Sequence, residues 1–235
     1  MNIFYAPYVS GEKCILDERE SRHCIKVLRH RKSDSIIISD GKGGLFEAVI
    51  ENPDPAACVV KITGTMEDKQ ARTYYLHLAV SPLKNPERLE WLIEKCVEIG
   101  VDEITPVICS KTEKKTVRMD RAEGIIISAM KQSLKARKTI INKPEYFADF
   151  ISSFNADLKL IAHCYGSNPR KSVREAYNNE GSIIFMIGPE GDFTLNEIAS
   201  AQQEGYIPVH LGSSRLRTET AGIAACHSIY LLNQC

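Results

Sequence analysis

The sequence lacks a net charge: 30 Lys and Arg face 30 Asp and Glu, so no whole-molecule field draws this chain to a polyanion or an acidic membrane surface. It has eight cysteines but no Cys-x-x-Cys pair and no Cys/His run with zinc-finger spacing, which excludes a structural zinc site and leaves no metal to expect. No Gly-Lys-Ser/Thr stands at Walker spacing, and no Gly-x-Gly-x-x-Gly opens an early helix with an acidic residue about 20 positions on, which disfavours P-loop nucleotide and nicotinamide chemistry. No apolar run approaches membrane-spanning length. Met1-Asn2-Ile3-Phe4-Tyr5-Ala6-Pro7 is not a basic stretch leading into an apolar one, so the chain is expected to be neither exported nor embedded. Cys96 and Cys109 sit among Ile93, Val97, Val107 and Ile108, where free thiols behave as small buried hydrophobes; reduced thiols point to the cytoplasm.

What the sequence does have is enough apolar content, 43% of 235 residues, for two cores. Its positive charge is local. Between Glu18 and Lys32 six basic residues (Arg19, Arg22, Lys26, Arg29, Arg31, Lys32) stand against two acidic ones, and between Lys111 and Lys143 the ratio is ten to three. Each patch alone reads equally as a solvated helix face. Two of them in a neutral protein favour RNA.

Residues 1–70 read as short strands and one helix. Asp17 starts that helix with Glu20 in capping-box register, and Cys24, Val27 and Leu28 supply an apolar stripe opposite Arg22, Lys26 and Arg29. Ser35 to Ser39 and Leu45 to Ile50 read as strands joined by a hairpin turn, Asp40-Gly41-Lys42-Gly43-Gly44, and Cys58 to Thr65 as a third strand. Glu67 to Ala71 reads as a linker. Thereafter strands alternate with helices. Tyr74 to Val80, Ile104 to Cys109, Leu158 to His163, Ser182 to Ile187 and Ile207 to Leu211 are expected strands. Pro86 to Ile99, Asp120 to Arg137, Arg170 to Tyr177, Thr194 to Glu204 and Thr218 to Asn233 are expected helices. The pattern predicts an α/β fold: a mostly parallel sheet covered on both faces, with ligands beyond the carboxyl ends of its strands.

Two loops in that position carry glycine beside a helix start. Ile183 to Ile187 leads into Gly188-Pro189-Glu190-Gly191-Asp192-Phe193, and Pro208 to Leu211 leads into Gly212-Ser213-Ser214-Arg215-Leu216-Arg217-Thr218-Glu219-Thr220. Such loops let a backbone approach a nucleotide-like ligand. On spacing alone, a tight turn before a capped helix accounts for them better.

Gly188-Pro189-Glu190-Gly191-x-Phe193, then Leu211-Gly212 and Leu216-Arg217-Thr218-Glu219-Thr220-Ala221, resemble the signature of the RsmE-type family. These are small-subunit ribosomal RNA uridine-N3 methyltransferases of the SPOUT class. Arg22-His23-x-x-x-Val27-Leu28-Arg29 resembles the family's N-terminal helix, and Lys84, Arg88 and Glu94 to Val101 match its first catalytic-domain helix. The resemblance implies an N-terminal PUA-like β-barrel domain, residues 1–70. It implies a SPOUT-type α/β domain with a C-terminal trefoil knot, residues 71–235, acting as a homodimer. It implies S-adenosylmethionine as cofactor, held by His163, Ile187, Gly188, Pro189, Glu190, Gly191, Leu211, Gly212, Leu216, Arg217, Thr218 and Thr220. RNA contacts are implied at Arg22, Lys26, Arg29, Arg31, Lys84, Arg88, Lys131 and Gln132, the RNA being carried within an assembled small subunit.

Three departures from the family pattern bear on the site. The usual double glycine is Gly191-Asp192; Asp tolerates left-handed angles, so the turn is expected to survive with a negative charge beside it. Ser214-Arg215-Leu216-Arg217 keeps only Arg217 in register, so the functional arginine is carried to Arg217 and not to Arg215. Lys131-Gln132-Ser133 lacks the Gly-Arg that follows in the family. The uridine N3 proton leaves with difficulty at neutral pH, so Arg217 is expected to stabilise charge on the uracil carbonyls. Glu190 and Glu219 are candidate proton acceptors or loop carboxylates held by backbone amides. The rival readings are a SPOUT enzyme acting on another RNA and a non-catalytic RNA-binding protein with the same fold.

Overall fold

The computed structural model describes residues 3–9, 11–166, 169–177 and 181–234. They fall into two compact units, one of residues 1–71 with 127–138, the other of 72–126 with 139–235.

The first unit is a five-stranded sheet in the order β1-β3-β4-β5-β2, built from β1 (Ile3–Tyr5), β2 (Lys13–Ile15), β3 (Ser35–Ser39), β4 (Leu45–Asn52) and β5 (Val59–Met66). β1 runs parallel to β3 and every other pair is antiparallel. The order ends on β1 and β2, so among the described residues the ladder is not closed, bond by bond, into a barrel. Its core holds Phe4, Leu16, Cys24, Ile38, Ile50, Cys58 and Val60. The Asp40–Gly44 segment is the hairpin between β3 and β4, with Gly41 and Gly43 at positive φ.

Between β2 and β3 lies α1 (Glu18–Arg22), and its two main features differ from what periodicity suggests. Asp17 caps it, accepting from the Glu20 N–H at 2.7 Å, but the Glu20 carboxylate does not reach back. It accepts instead from the Tyr5 N–H at 3.1 Å and pairs with Lys131 at 2.6 Å, with side chains only 5% and 15% exposed. After α1 comes a π-turn, His23–Val27, in which the Leu28 N–H donates to the His23 carbonyl at 3.0 Å. One extra residue per turn breaks the i, i+3, i+4 face. Cys24 is therefore fully buried, whereas Val27 and Leu28 are exposed.

The second unit is an eight-stranded, wholly parallel sheet. Its strands are β6 (Tyr75–Val80), β7 (Glu103–Ile108), β8 (Ile140–Ile141), β9 (Glu145–Tyr146), β10 (Leu158–Ala162), β11 (Lys171–Ser172), β12 (Ser182–Ile187) and β13 (Ile207–His210). The order is β11-β13-β10-β12-β6-β7-β8, with β9 also on β7. Helices α2 (Pro86–Ile99), α3 (Met119–Gln132), α4 (Phe147–Ser153), α5 (Val173–Ala176), α6 (Leu195–Gln203) and α7 (Thr218–Leu232) connect them, α3 crossing from one unit into the other. α4 and α6 cover one face through Phe150, Ile151, Ile198 and Ala201. α7 covers the other beside α2, closely enough that a Cβ on Gly222 would lie 2.8 Å from Leu92. Asn85 caps α2 and Gly100 ends it at φ 117.

Two expected helices are shorter than their patterns. α3 stops at Gln132 because Leu134 takes φ 58, and the chain turns so that Ala136 packs on Ile3, Ile37 and Leu45 of the first unit. The helix expected over 170–177 is one turn, preceded by β11.

Candidate functional site

Four neighbouring parallel strands end in line. Val209 of β13 pairs with Ala162 of β10, Ala162 with Ile187 of β12, and Ile187 with Val80 of β6. The segments that follow, His210 to Arg217, His163 to Tyr165, Gly188 to Phe193 and Ser81 to Asn85, therefore leave from one edge of the sheet. That edge is where parallel α/β folds bind ligands.

The loop after β12 is held from several directions. Ile187, Gly188 and Pro189 are buried. A Cβ on Gly188 would lie 3.0 Å from the Phe193 ring and 3.2 Å from its backbone nitrogen, and Phe193 is fully buried. The glycine is thus demanded by the loop's own packing, where sequence alone suggested the approach of a ligand. Gly191 is less constrained, since its Cβ would meet only the side chain of Lys111. Asp192 takes the left-handed angle, φ 61, and its carboxylate accepts from the Cys164 and Phe193 amides, both at 2.8 Å. The added charge is thereby absorbed by backbone donors. Lys111 donates to the carbonyls of Gly191 at 2.8 Å and Phe193 at 3.3 Å and to the Tyr165 hydroxyl at 3.2 Å. Thr194 and Glu197 form a capping box at the start of α6, and Glu197 also accepts from the Ser110 N–H at 2.7 Å. Burial alone would raise the Glu197 carboxyl, but the amides of Thr194 and Ser110 outweigh it and hold the group below the usual carboxylate range.

The capping-box spacing of Thr194 and Glu197 is legible in the sequence. The bonds of Glu197 to the Ser110 N–H and of Lys111 to the Gly191 and Phe193 carbonyls are not, since they span 80 or more positions and no spacing rule reaches that far.

The loop after β13 has Gly212 at φ 112, and among the described residues, its chain neighbours apart, nothing lies within 4 Å of where a Cβ would stand. Leu211 and Leu216 are half-buried. Arg217 occupies the N-cap position of α7 through its backbone, with an exposed side chain that makes no capping bond. Thr218 and Glu219 are buried, Thr220 is exposed, and Glu219 faces Arg88 at 3.6 Å. Glu190 is exposed and one of its oxygens accepts from the Lys84 N–H at 3.2 Å. Lys84 pairs through its ammonium with Glu113 at 2.9 Å. The start of α2 thus meets both candidate carboxylates.

His163, directly after β10, is 4% exposed. Burial pushes its pKa below the usual histidine value, so the ring is neutral at pH 7. Its Nδ1 accepts from the Tyr165 N–H at 3.3 Å, which assigns the proton to Nε2. That buried Nε2–H has no acceptor among the described residues, an arrangement that costs free energy unless a ligand supplies one.

The expected RNA contacts divide. Arg22, Lys26, Arg29 and Arg31 are exposed in the first unit, as is Gln132. Lys131 is engaged within its own unit: its ammonium pairs with Glu20 at 2.6 Å and lies over the Phe4 ring. Lys84 and Arg88 belong to the second unit, beside Glu190 and Glu219. Among the described residues there is no His/Cys/Asp/Glu group able to hold a metal, and no helix is long and apolar enough to cross a membrane. Seven cysteines are free thiols; Cys235 lies outside the described residues.

Comparison with known proteins matches residues 70–230 to a family model described as an RNA methyltransferase domain, and residues 16–63 to one described as an RNA methyltransferase PUA domain. A curated relative, ribosomal RNA small subunit methyltransferase E of Mesomycoplasma hyopneumoniae (strain 232), is 30% identical over 90% of this chain and 88% of its own. The crystal structure of a probable rRNA-methyltransferase from Porphyromonas gingivalis superposes with a TM-score of 0.92 at 38% identity, covering 100% of this chain and 99% of that one. That of ribosomal RNA small subunit methyltransferase E from Neisseria gonorrhoeae, bound to S-adenosyl methionine, gives 0.89 at 28% identity, covering 99% and 98%.

Proposed function

The chain belongs to the ribosomal RNA small subunit methyltransferase E family, and from that premise we propose that it transfers a methyl group from S-adenosylmethionine to N3 of a uridine in small-subunit ribosomal RNA. The observation that carries the reading is the line of four strand ends, with two glycine-bearing loops and an exposed arginine on one edge.

The residues present fit the cofactor. Among the described residues, His163 offers a buried N–H without an acceptor, and Gly212 has a backbone that only glycine adopts easily, with open space where a side chain would stand. Ile187, Gly188, Pro189, Gly191, Leu211, Leu216, Thr218 and Thr220 complete the holding set from the same two loops. When bound, S-adenosylmethionine supplies an activated methyl on a sulfonium.

The protein's own groups do the rest. Arg217 stabilises negative charge on the uracil carbonyls as N3 loses its proton. Glu190 suits the proton acceptor better than Glu219, since it is exposed and engages one amide through one oxygen, whereas Glu219 is buried against Arg88. Orienting N3 in line with the donor supplies a further part of the barrier reduction.

Residues 1–70 grip the RNA and 71–235 carry the transfer, with the protein in the cytoplasm and the assembled small subunit as substrate. A homodimer fits the part-buried apolar positions Ile223, Ala224 and Leu232 of α7. Mass spectrometry of nucleosides from small-subunit RNA tests the reaction. A strain lacking the gene should lose 3-methyluridine and regain it on complementation. Unchanged 3-methyluridine, or loss of a ribose-methylated nucleoside instead, would refute it.

A further inference from the structure

The π-turn after α1 does something an ordinary helix would not. Continued as α-helix, the chain would put Val27 and Leu28 on the face of Cys24, inside the core. The extra residue of the π-turn rotates them out, leaving Val27 63% and Leu28 36% exposed. Single exposed hydrophobics need no explanation, but a helix defect that delivers two adjacent ones to solvent does, and such defects gather at functional sites.

The segment that follows is locked. The Asp34 carboxylate accepts from the Arg31 N–H at 2.8 Å and bonds the His30 ring at 3.2 Å. The Ser33 N–H donates to the Ile50 carbonyl at 2.8 Å, and the Ile50 N–H to the Asp34 carbonyl at 3.0 Å. Arg29 and Ser33 are held at φ 61 and φ 74, angles that non-glycine residues adopt seldom. The apolar pair thus stands on a preorganised platform.

Its surroundings select the occupant. Lys26, Arg29, Arg31 and Lys32 make no ion pair among the described residues, and Arg22 has only a loose one, 3.8 Å from Glu18. Unpaired cations on both sides of an apolar pair fit a polyanion that also offers an apolar face. Paired RNA hides its base faces in the stack, so the fitting partner is RNA with an unstacked base.

Resting on the reading that the substrate is RNA, we propose that Val27 and Leu28 pack against an unstacked nucleobase while the flanking arginines and lysines hold its phosphates. The turn thereby distinguishes a loop or junction from plain duplex.

The test compares Val27→Ser/Leu28→Ser with Arg22→Ala/Arg29→Ala, using transcribed small-subunit ribosomal RNA and a fully paired RNA duplex as probes. All four side chains are exposed, so thermal unfolding should match the wild type. The serine pair should lose roughly fivefold to thirtyfold in affinity for the transcript, as loss of base packing does, with little loss on the duplex. Its slope of log K against log salt should not change. The alanine pair should lose affinity for both probes and flatten the slope by roughly 0.7–0.9 per lost phosphate contact. Equal loss on both probes, or none on the transcript, overturns the proposal. So does unchanged RNA binding with reduced self-association in sedimentation, which would make the pair a protein contact. A wild type that binds the transcript but leaves it and the assembled subunit unmethylated would sink the catalytic reading alone.

Discussion

Gly188→Val is expected to weaken S-adenosylmethionine binding by more than about tenfold, the scale of overpacking a filled site, while Gly191→Ala changes it by less than about twofold. The two glycines sit three residues apart in one loop, yet their surroundings differ. The first carbon added at Gly188 already lies 3.0 Å from two carbons of the Phe193 ring, and valine adds two methyls beyond it. Phe193 cannot retreat: it is fully buried, beside Phe147 at 5.9 Å between ring centroids and among Ile161, Met186 and Ile198. The backbone from Ile187 to Asp192 must move instead, against the ties from Lys111 and from Asp192 to Cys164. At Gly191 the obstacle is the flexible stem of Lys111. Calorimetry on the two variants, with circular dichroism to confirm folding, decides the matter. A folded Gly188→Val protein with wild-type cofactor affinity would remove this loop from the binding site.

The contrast between those glycines shows what sequence can and cannot carry. Caps and stops act over three or four residues, so Asn85, Pro86 and Gly100 announce α2 correctly, and the apolar run Ile183–Ile187 announces a strand buried on both faces. The edge expected to bind a ligand follows from the β/α alternation alone. Glu20 misled because its capping-box spacing is a local cue, and the half-buried Lys131, which the fold brings to it, is the stronger partner. The stripe of Cys24, Val27 and Leu28 misled because periodicity assumes an α-turn where the chain makes a π-turn. Strands of two or three residues, β1, β2, β8, β9 and β11, have too few positions to show any period. The return of residues 127–138 to the first unit is written in tertiary contacts, Ala136 on Ile37 and the Ser39 hydroxyl donating to the Ala136 carbonyl at 3.0 Å. For the candidate site, motif resemblance singles out the loops after β12 and β13, while the groups that brace the first of them, Lys111 and the Cys164 amide, come from distant parts of the chain.

Arg217→Ala is expected to slow single-turnover methylation by about tenfold to a thousandfold, as loss of an oxyanion donor does, while S-adenosylmethionine affinity stays within about twofold. The structure makes this a clean excision. Arg217 starts α7 with its main chain, at φ −72 and ψ 156, and its carbonyl accepts from the Ala221 N–H at 2.8 Å. The side chain caps nothing, so alanine removes the guanidinium and leaves the helix start in place. An interaction made with charge that develops only as N3 deprotonates acts on turnover and not on ground-state binding. Arg217→Lys should recover little, because an ammonium lacks the planar fork that spans two acceptors. Arg215→Ala supplies the comparison within the same loop. Arg215 is exposed too, and its charge reaches the loop after β10, where it partly offsets the rise that burial and Asp192 impose on the Cys164 thiol. Its loss should cost far less rate than that of Arg217. If cofactor affinity in Arg217→Ala instead falls in proportion to rate, the guanidinium binds the donor, and the charge on the uracil must be met by another group on this edge, such as Arg88, which faces Glu219 at 3.6 Å.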